Sequence, residues 1–417
     1  VLASALAAVA IVASMNVAPA PSDSSVAAWF ARHAVPIDST GSAFRSLDGV
    51  ITAARLIGVG ESVHGMQEFT SFRIALLQDL VRRHQVTALI LESGLPEATA
   101  VDDYVHGRVD TVSYATALGG EFGQSELARR ALQWLREWNL GAGRAHPVSV
   151  FGADVSIGDG RTMLPALDHL AHLVGNDERL AVTLDSIRPI ATRINGSWLR
   201  AAQQNYQSLP PGDTTRLLDL VSRLVAATRQ WTGGTAEQRA LAERFALLVE
   251  QDIRILRADP HSTGNPRDVG MADNARWLVD RLPRGERAVL WAHNAHVQRV
   301  AIKGPVVPAG VVTNMGSRLA EELGSRYVAI GTAYGGPSAD SATAPATQSV
   351  DALVGTDLHS FPALVVLKGA PKTDEVDAWL RRERPMRFQV GYLTVSLAHA
   401  FDALVYFDHV SSMIEAR

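Results

Sequence analysis

The 417-residue chain contains no cysteine. That absence removes disulfides, thiolate zinc sites and any cysteine nucleophile, so a hydrolytic nucleophile here has to be oxygen-based. Basic runs are missing as well. The net charge is −4 and no lysine or arginine stretch interleaves with aromatics, which excludes a nucleic-acid footprint and a polybasic membrane patch. A neutral or mildly polar partner suits such a surface better. Three catalytic and cofactor signatures also fail. The glycines at 58, 60 and 65 do not form a dinucleotide fingerprint, whose third glycine would fall at position 63, and no glycine-rich loop ends in Gly-Lys-Ser/Thr for nucleotide phosphates. Gly60-Glu-Ser62-Val-His64 has histidine where a Gly-x-Ser-x-Gly elbow needs its last glycine, leaving Ser62 a weak nucleophile candidate.

What is present is an ordinary globular composition, 47% hydrophobic and 20% charged, in a chain long enough for a substantial core or two unequal domains. The first residues, Val1–Ala13, are apolar but too short to span a bilayer, and Ala18-Pro-Ala20 has the small-x-small form of a cleavage site. Residues 1–21 therefore read as an export signal, which places the mature protein in the periplasm or outside the cell, with no stable membrane insertion once the signal is removed.

Beyond a short helix near Val26–His33, compact apolar runs with β-branched residues predict buried strands of the parallel type. These are Arg55–Gly60, Thr87–Glu92, Val148–Ala153, Ala288–His293, Tyr327–Thr332, Ala363–Leu367 and Ala403–Phe407. Helical patterns at Phe69–His84 and Leu127–Trp138 separate the first three, giving the alternation of an α/β fold with a mainly parallel central sheet flanked by helices. From about Gly160 to Leu282 the apolar spacing is helical throughout. This predicts a helical insertion over the strand-end cleft of a single domain spanning 22–417, with Thr232-Gly-Gly-Thr235 as a helix stop and start. Ser338–Thr347, rich in Ser, Ala, Thr and Pro, reads as a surface loop.

The chemistry gathers where the strands end. Gly58-Val-Gly-Glu-Ser-Val-His-Gly65 sets Glu61 and His64 at one strand exit, Glu92 closes a second, Asp154 follows a third, and His293 and His296 follow a fourth. In a parallel sheet the carboxyl ends open on one crevice, so ionisable residues clustered there predict an active site. A carboxylate beside an imidazole orients it and raises its basicity, as a general base for water requires. If the following helix begins near Ser62 or His64, the helix terminus favours the Glu61 charge. Arg73, on that helix, is the nearest partner for Glu92. His293 and His296, three apart, are placed to lie on one face of a turn. Two histidines and two glutamates also suit a divalent metal, so a metal-dependent hydrolase remains open, although no His-Glu-x-x-His helix exists. Arg267, Asp268 and Asn274 form a polar cluster re-entering the sheet from the insertion.

Taken in order, Gly60-Glu-Ser-Val-His-Gly65 with Phe69 and Arg73, Leu91-Glu92, Tyr104-Val-His-Gly107, Trp134-Leu-Arg-Glu-Trp-Asn139, Phe151-Gly-Ala-Asp154, Arg267-Asp268 with Met271 and Asn274, Trp291-Ala-His-Asn-Ala-His296, and Met315-Gly316 resemble the erythromycin esterase family of hydrolases. The resemblance runs from about Gly58 to Asp408. It implies hydrolysis of an ester or lactone, foremost a macrolide macrolactone, without a tightly required metal or other cofactor and without a covalent acyl-enzyme. It implies His64 as general base on water, with Glu61, Arg73, Glu92, His293 and His296 around it. Asn294, Arg267 and Asp154 are expected to bind substrate. An exported glycan- or antibiotic-binding protein on the same scaffold is the alternative outside enzymes.

Overall fold

The computed structural model describes residues 23–413 except 115–117, 119–122, 157–161, 260, 306, 308, 337–343 and 390. The expected export signal and its cleavage site lie outside the described residues, as does most of the Ser338–Thr347 loop. Among the described residues no helix is long and apolar enough to cross a membrane.

All seven predicted strands are present. They are β2 (Leu56–Glu61), β3 (Val86–Gly94), β4 (Ser149–Asp154), β5 (Arg287–His293), β8 (Tyr327–Tyr334), β9 (Ala363–Val366) and β12 (Ala403–Phe407). With β1 (Val35–Pro36) they form one sheet in the order β1-β9-β12-β8-β2-β5-β3-β4. The run from β12 to β4 is parallel, whereas β9 pairs antiparallel with β12 and β1 antiparallel with β9. For β9 the expected parallel direction is therefore corrected: an apolar run reports burial on both faces, not the direction of the chain.

Alternation along each strand divides the core in two. On β5, Ala288, Leu290 and Ala292 face one layer while Val289 and Trp291 face the other, and β8 repeats the pattern with Tyr327 and Ala329 against Val328 and Ile330. Helices Asp23–His33, Pro266–Arg281 and Met315–Leu323 cover the first face; Gln67–Arg83, Leu95–Val105 and Glu126–Leu140 cover the second. Helix Gln67–Arg83 is specified locally: Phe69, Phe72, Leu76, Leu80 and Val81 make its buried stripe, with Glu68 in the first turn and Arg82 and Arg83 in the last.

Between β4 and β5 the described residues hold helices and no strand, as the spacing predicts. Thr235 opens Ala236–Leu256 with a reciprocal capping box to Gln238, just after Gly234 in the left-handed region at φ 62°. Helices Leu164–Val174 through Ala236–Leu256 bury their apolar faces in a third core that includes Leu95 and Val155, the residues immediately after β3 and β4. The helical layer thus meets the sheet at its carboxyl end.

A second, small antiparallel sheet was not foreseen. It runs β10 (Arg384–Phe388), β11 (Gly391–Val395), β6 (Ile302–Lys303) and β7 (Val311–Val312). Two of its strands are two residues long, too short to carry a periodic signal.

Candidate active site

Parallel pairing sets Glu61 opposite His293 on neighbouring β2 and β5, with Glu92 one residue past the Leu91–Trp291 pair on β3 and Asp154 opposite Gly94 on β4. The predicted strand-end residues do converge. They form two ion-pair systems joined through one backbone amide.

The first system is Arg73–Glu61–His64. The Oε1 of Glu61 holds His64 Nδ1 at 2.7 Å, and its Oε2 stands 3.0 Å from Arg73 Nη1. Arg73 Nη2 donates to the carbonyls of Val59 at 3.1 Å and Ala292 at 2.5 Å, so one buried guanidinium ties β2 and β5 to the carboxylate. The helix expected near Ser62 or His64 starts at Gln67, and Glu61 is the last residue of β2, so Arg73 rather than a helix terminus compensates its charge. With Nδ1 engaged, His64 leaves 46% of its side chain exposed. Desolvation disfavours the charged ring, but the hydrogen bond and charge of Glu61 outweigh it, so His64 titrates above its ordinary value.

The second system is Asp154–Arg267–Glu92–His296–Asp268. The Nη2 of Arg267 lies 2.7 Å from Asp154 Oδ2 and 3.0 Å from Glu92 Oε1, and its Nε is 2.8 Å from the Asp154 oxygen. His296 Nδ1 donates to Asp268 Oδ1 at 2.6 Å, and Nε2 stands 3.3 Å from Glu92 Oε1. Burial works against a charged His296, yet Asp268 and Glu92 push its pKa up to about 10 and keep it cationic. Burial likewise opposes the Glu92 charge, and the His296 and Arg267 cations hold that carboxyl well below the usual range. Asp154 moves the other way, raised by burial that Arg267 only partly offsets. The expected Arg73–Glu92 pairing is thus corrected: Arg73 serves Glu61, and Arg267 serves Glu92.

Glu92 Oε2 links the systems by accepting the backbone N–H of His293 at 2.8 Å. The His293 ring turns inward. Its Nε2 donates to the Ser62 carbonyl at 2.8 Å and its Nδ1 accepts the Ala295 N–H at 3.1 Å, capping the short helix Asn294–Val297. Burial and then the charge of His64 press its pKa well below the ordinary value, fixing a neutral tautomer. His293 and His296 therefore do not share one face, and His293 has no ring nitrogen left for a substrate. Its edge lies against His64, with centroids 5.0 Å apart, and against Phe388, 4.6 Å away.

Asn294, expected to bind substrate, spends its amide on the sheet. Its Nδ2 donates to the Thr332 carbonyl at 2.8 Å and its Oδ1 accepts the Thr332 N–H at 3.2 Å, so both ends of the buried amide bond the β8 backbone. Gly60 makes room for this amide, since a Cβ there would stand 2.1 Å from Asn294 Oδ1. Ser62 is fully buried with its Oγ 3.3 Å from Thr332 Oγ1. Asn274 anchors the insertion, donating to the Ala153 carbonyl at 2.8 Å. Among the described residues no three His, Asp or Glu side chains are arranged to hold a metal ion.

Some contributors escape a sequence reading. Gln389, in the β10–β11 turn at φ 48°, donates its N–H to the Ser62 carbonyl at 3.0 Å. Asp252, on helix Ala236–Leu256, is buried, and burial with Asp154 and Glu97 nearby lifts its carboxyl well above the usual range. An aspartate among Val249, Ile253 and Leu256 on a buried helix face was its one visible signal.

The family model described as erythromycin esterase matches residues 81–410, beginning after the Glu61–His64 segment. Among curated relatives, erythromycin esterase type II of Escherichia coli is 24% identical over 71% of this chain and 73% of its own length. Type I, also of Escherichia coli, is 23% identical over 87% and 92%. A Bacillus cereus protein of solved structure, 20% identical, superposes with a TM-score of 0.80 over 95% of this chain and 99% of that one. An erythromycin esterase EreC variant in its open conformation, 21% identical, gives 0.70 over 89% and 94%. At these identities the solved structures carry the fold, and the family match spans most of the chain: the protein belongs to the erythromycin esterase family.

Proposed function

We propose that the protein is a carboxylic ester hydrolase that opens a lactone ring, most directly that of a macrolide antibiotic, by histidine-activated water. Family membership supports the hydrolase class. The observation that carries the mechanism is the His64 ring, held through Nδ1 by Glu61 at 2.7 Å with 46% of its side chain exposed. His64 Nε2 takes a proton from water as the water oxygen attacks the lactone carbonyl carbon; the carbon–oxygen ring bond breaks, and the proton passes to the departing alkoxide. The product is a linear hydroxy acid. Arg267, whose side chain is 29% exposed, and the cationic His296 supply positive charge to the carbonyl oxygen as it becomes an oxyanion. Glu61 orients the base, and Glu92 holds the two cations in place. The helical layer, meeting the sheet at Leu95 and Val155, shapes the substrate cleft.

Mass spectrometry of purified protein incubated with a 14-membered macrolide and with a short aryl ester tests the reading. A gain of one water on the macrolide, abolished in His64→Ala and retained after exhaustive chelation, is the expected result. Turnover of neither ester would discard it. Activity lost to chelator and restored by a single divalent ion would replace activated water with a metal-dependent hydrolase.

A further inference from the structure

The far end of the chain returns to the loop that carries His64. Helix Gln67–Arg83 opens without a side-chain cap, since the preceding Met66 supplies none. First-turn N–H groups then need acceptors from elsewhere. The Ser411 carbonyl takes the Gln67 N–H at 2.8 Å, Met66 bridges antiparallel to Ser412, and the Met413 N–H donates to the Gly65 carbonyl at 2.7 Å. Glu68 closes the contact. Its Oε2 accepts the Ser411 N–H at 2.7 Å and its Oε1 the Ser411 hydroxyl at 2.6 Å, a two-point bond to a charged acceptor.

Gly65, which receives Met413, is the residue next to His64 and sits at φ 74°, where a side chain would be strained. On the other side of His64 the loop is held at the Ser62 carbonyl by His293 and Gln389. The imidazole therefore sits between two anchors, one in the sheet and one in the chain's last described residues.

We propose that the segment Ser411–Met413, fastened through Glu68, is a positioning clamp that keeps the His64 ring on Glu61 during hydrolysis. The proposal rests on His64 acting as the base. Without Glu68 the loop keeps its Ser62 anchor but loosens after His64, and the imidazole swings away from a carboxylate that Arg73 still holds. The charged and titratable groups acting on the ring are Glu61, Glu92 and Arg73, with neutral His293 at its edge.

Glu68→Ala and Glu68→Gln in the full-length chain separate this clamp from a charge effect, because both remove the same charge while glutamine keeps one acceptor for Ser411. The readouts are the titration of the His64 ring by NMR and the split between kcat and KM on a macrolide. Glu68→Ala is expected to lower the His64 pKa toward its ordinary value and kcat by about tenfold, as misplacement of a reacting group does, with KM within about twofold. Glu68→Gln recovers most of both. An unchanged titration in Glu68→Ala, or identical shifts in the two variants, overturns the clamp. Should Glu68→Ala fail to fold, Ser411→Ala, which loses one of the two hydrogen bonds, carries the same readouts. It is expected to shift both in the same direction by less, and no shift overturns the proposal. The titration needs no substrate, so a wild-type protein inactive on esters would sink the hydrolytic reading while the clamp is still decided.

Discussion

Arg73 Nη1 stands 3.0 Å from Glu61 Oε2, which leaves the other oxygen of that carboxylate to hold His64. The arginine also bonds the carbonyls of Val59 and Ala292, so it fixes the carboxylate to two strands at once.

Replacing it with a methionine of similar length should therefore cost both stability and rate. Removing one partner of a buried ion pair typically destabilises by about 3–5 kcal/mol. Arg73→Met is expected to lose a few kcal/mol in urea unfolding, and Arg73→Lys is expected to restore less than half of it, because one ammonium cannot reproduce the planar fork. Full stability in Arg73→Met would show that the network is ornamental.

The raised His64 pKa sets a pH dependence. The base works only when neutral, so kcat/KM should fall as pH drops through a midpoint above the ordinary imidazole value of 6.5, where protonation removes the acceptor nitrogen. Glu61→Gln removes the hydrogen-bonded charge that raises this midpoint, and the acid limb should move to lower pH while the maximal rate declines. A midpoint that stays put in Glu61→Gln would assign the limb to another group.

Ser62→Ala should remain active within about fivefold, because the hydroxyl is buried against Thr332 and the elbow geometry is missing. Intact mass during turnover is expected to show no adduct. A covalent acyl group on Ser62 would revive a serine nucleophile.

Asn294→Ala should behave as a structural lesion. It strips two hydrogen bonds from the Thr332 backbone and leaves those buried groups unpaired, at about 1–3 kcal/mol each. The melting temperature falls while KM holds. A large rise in KM with unchanged stability would return Asn294 to the substrate.

Much of this was legible from apolar runs and from the residues that end them. Seven of the eight strands of the main sheet, the helical stretch after β4 and the convergence of Glu61, Glu92, Asp154, His293 and His296 follow from rules about parallel sheets, while the two-residue β1 does not. Partner choice did not. Arg73 lies close in sequence to Glu92, but β5 inserts between β2 and β3, so an arginine on the helix after β2 meets Glu61 and the β5 backbone first. Strand order is a long-range property that local patterns do not encode. The same holds for His293 and Asn294, whose side chains are consumed by Ser62 and Thr332, groups far away in the chain. Nor does a compact run of apolar, β-branched residues announce β10 and β11, the hairpin whose turn reaches Ser62.

The third core gives the molecule a seam. Helices Leu164–Val174 through Ala236–Leu256 bury their apolar faces mainly against one another and reach the sheet's carboxyl end through Leu95 and Val155, the residues that follow β3 and β4. Such a block is expected to open as a unit of its own, and amide hydrogen exchange should then separate it from β2, β5 and β8 as a distinct protection class. Chain segments that loosen together can also diverge together. A lineage could rebuild the helical layer many times over while the site, with its six carboxylate and imidazole groups locked by Arg73 and Arg267, stayed as it was.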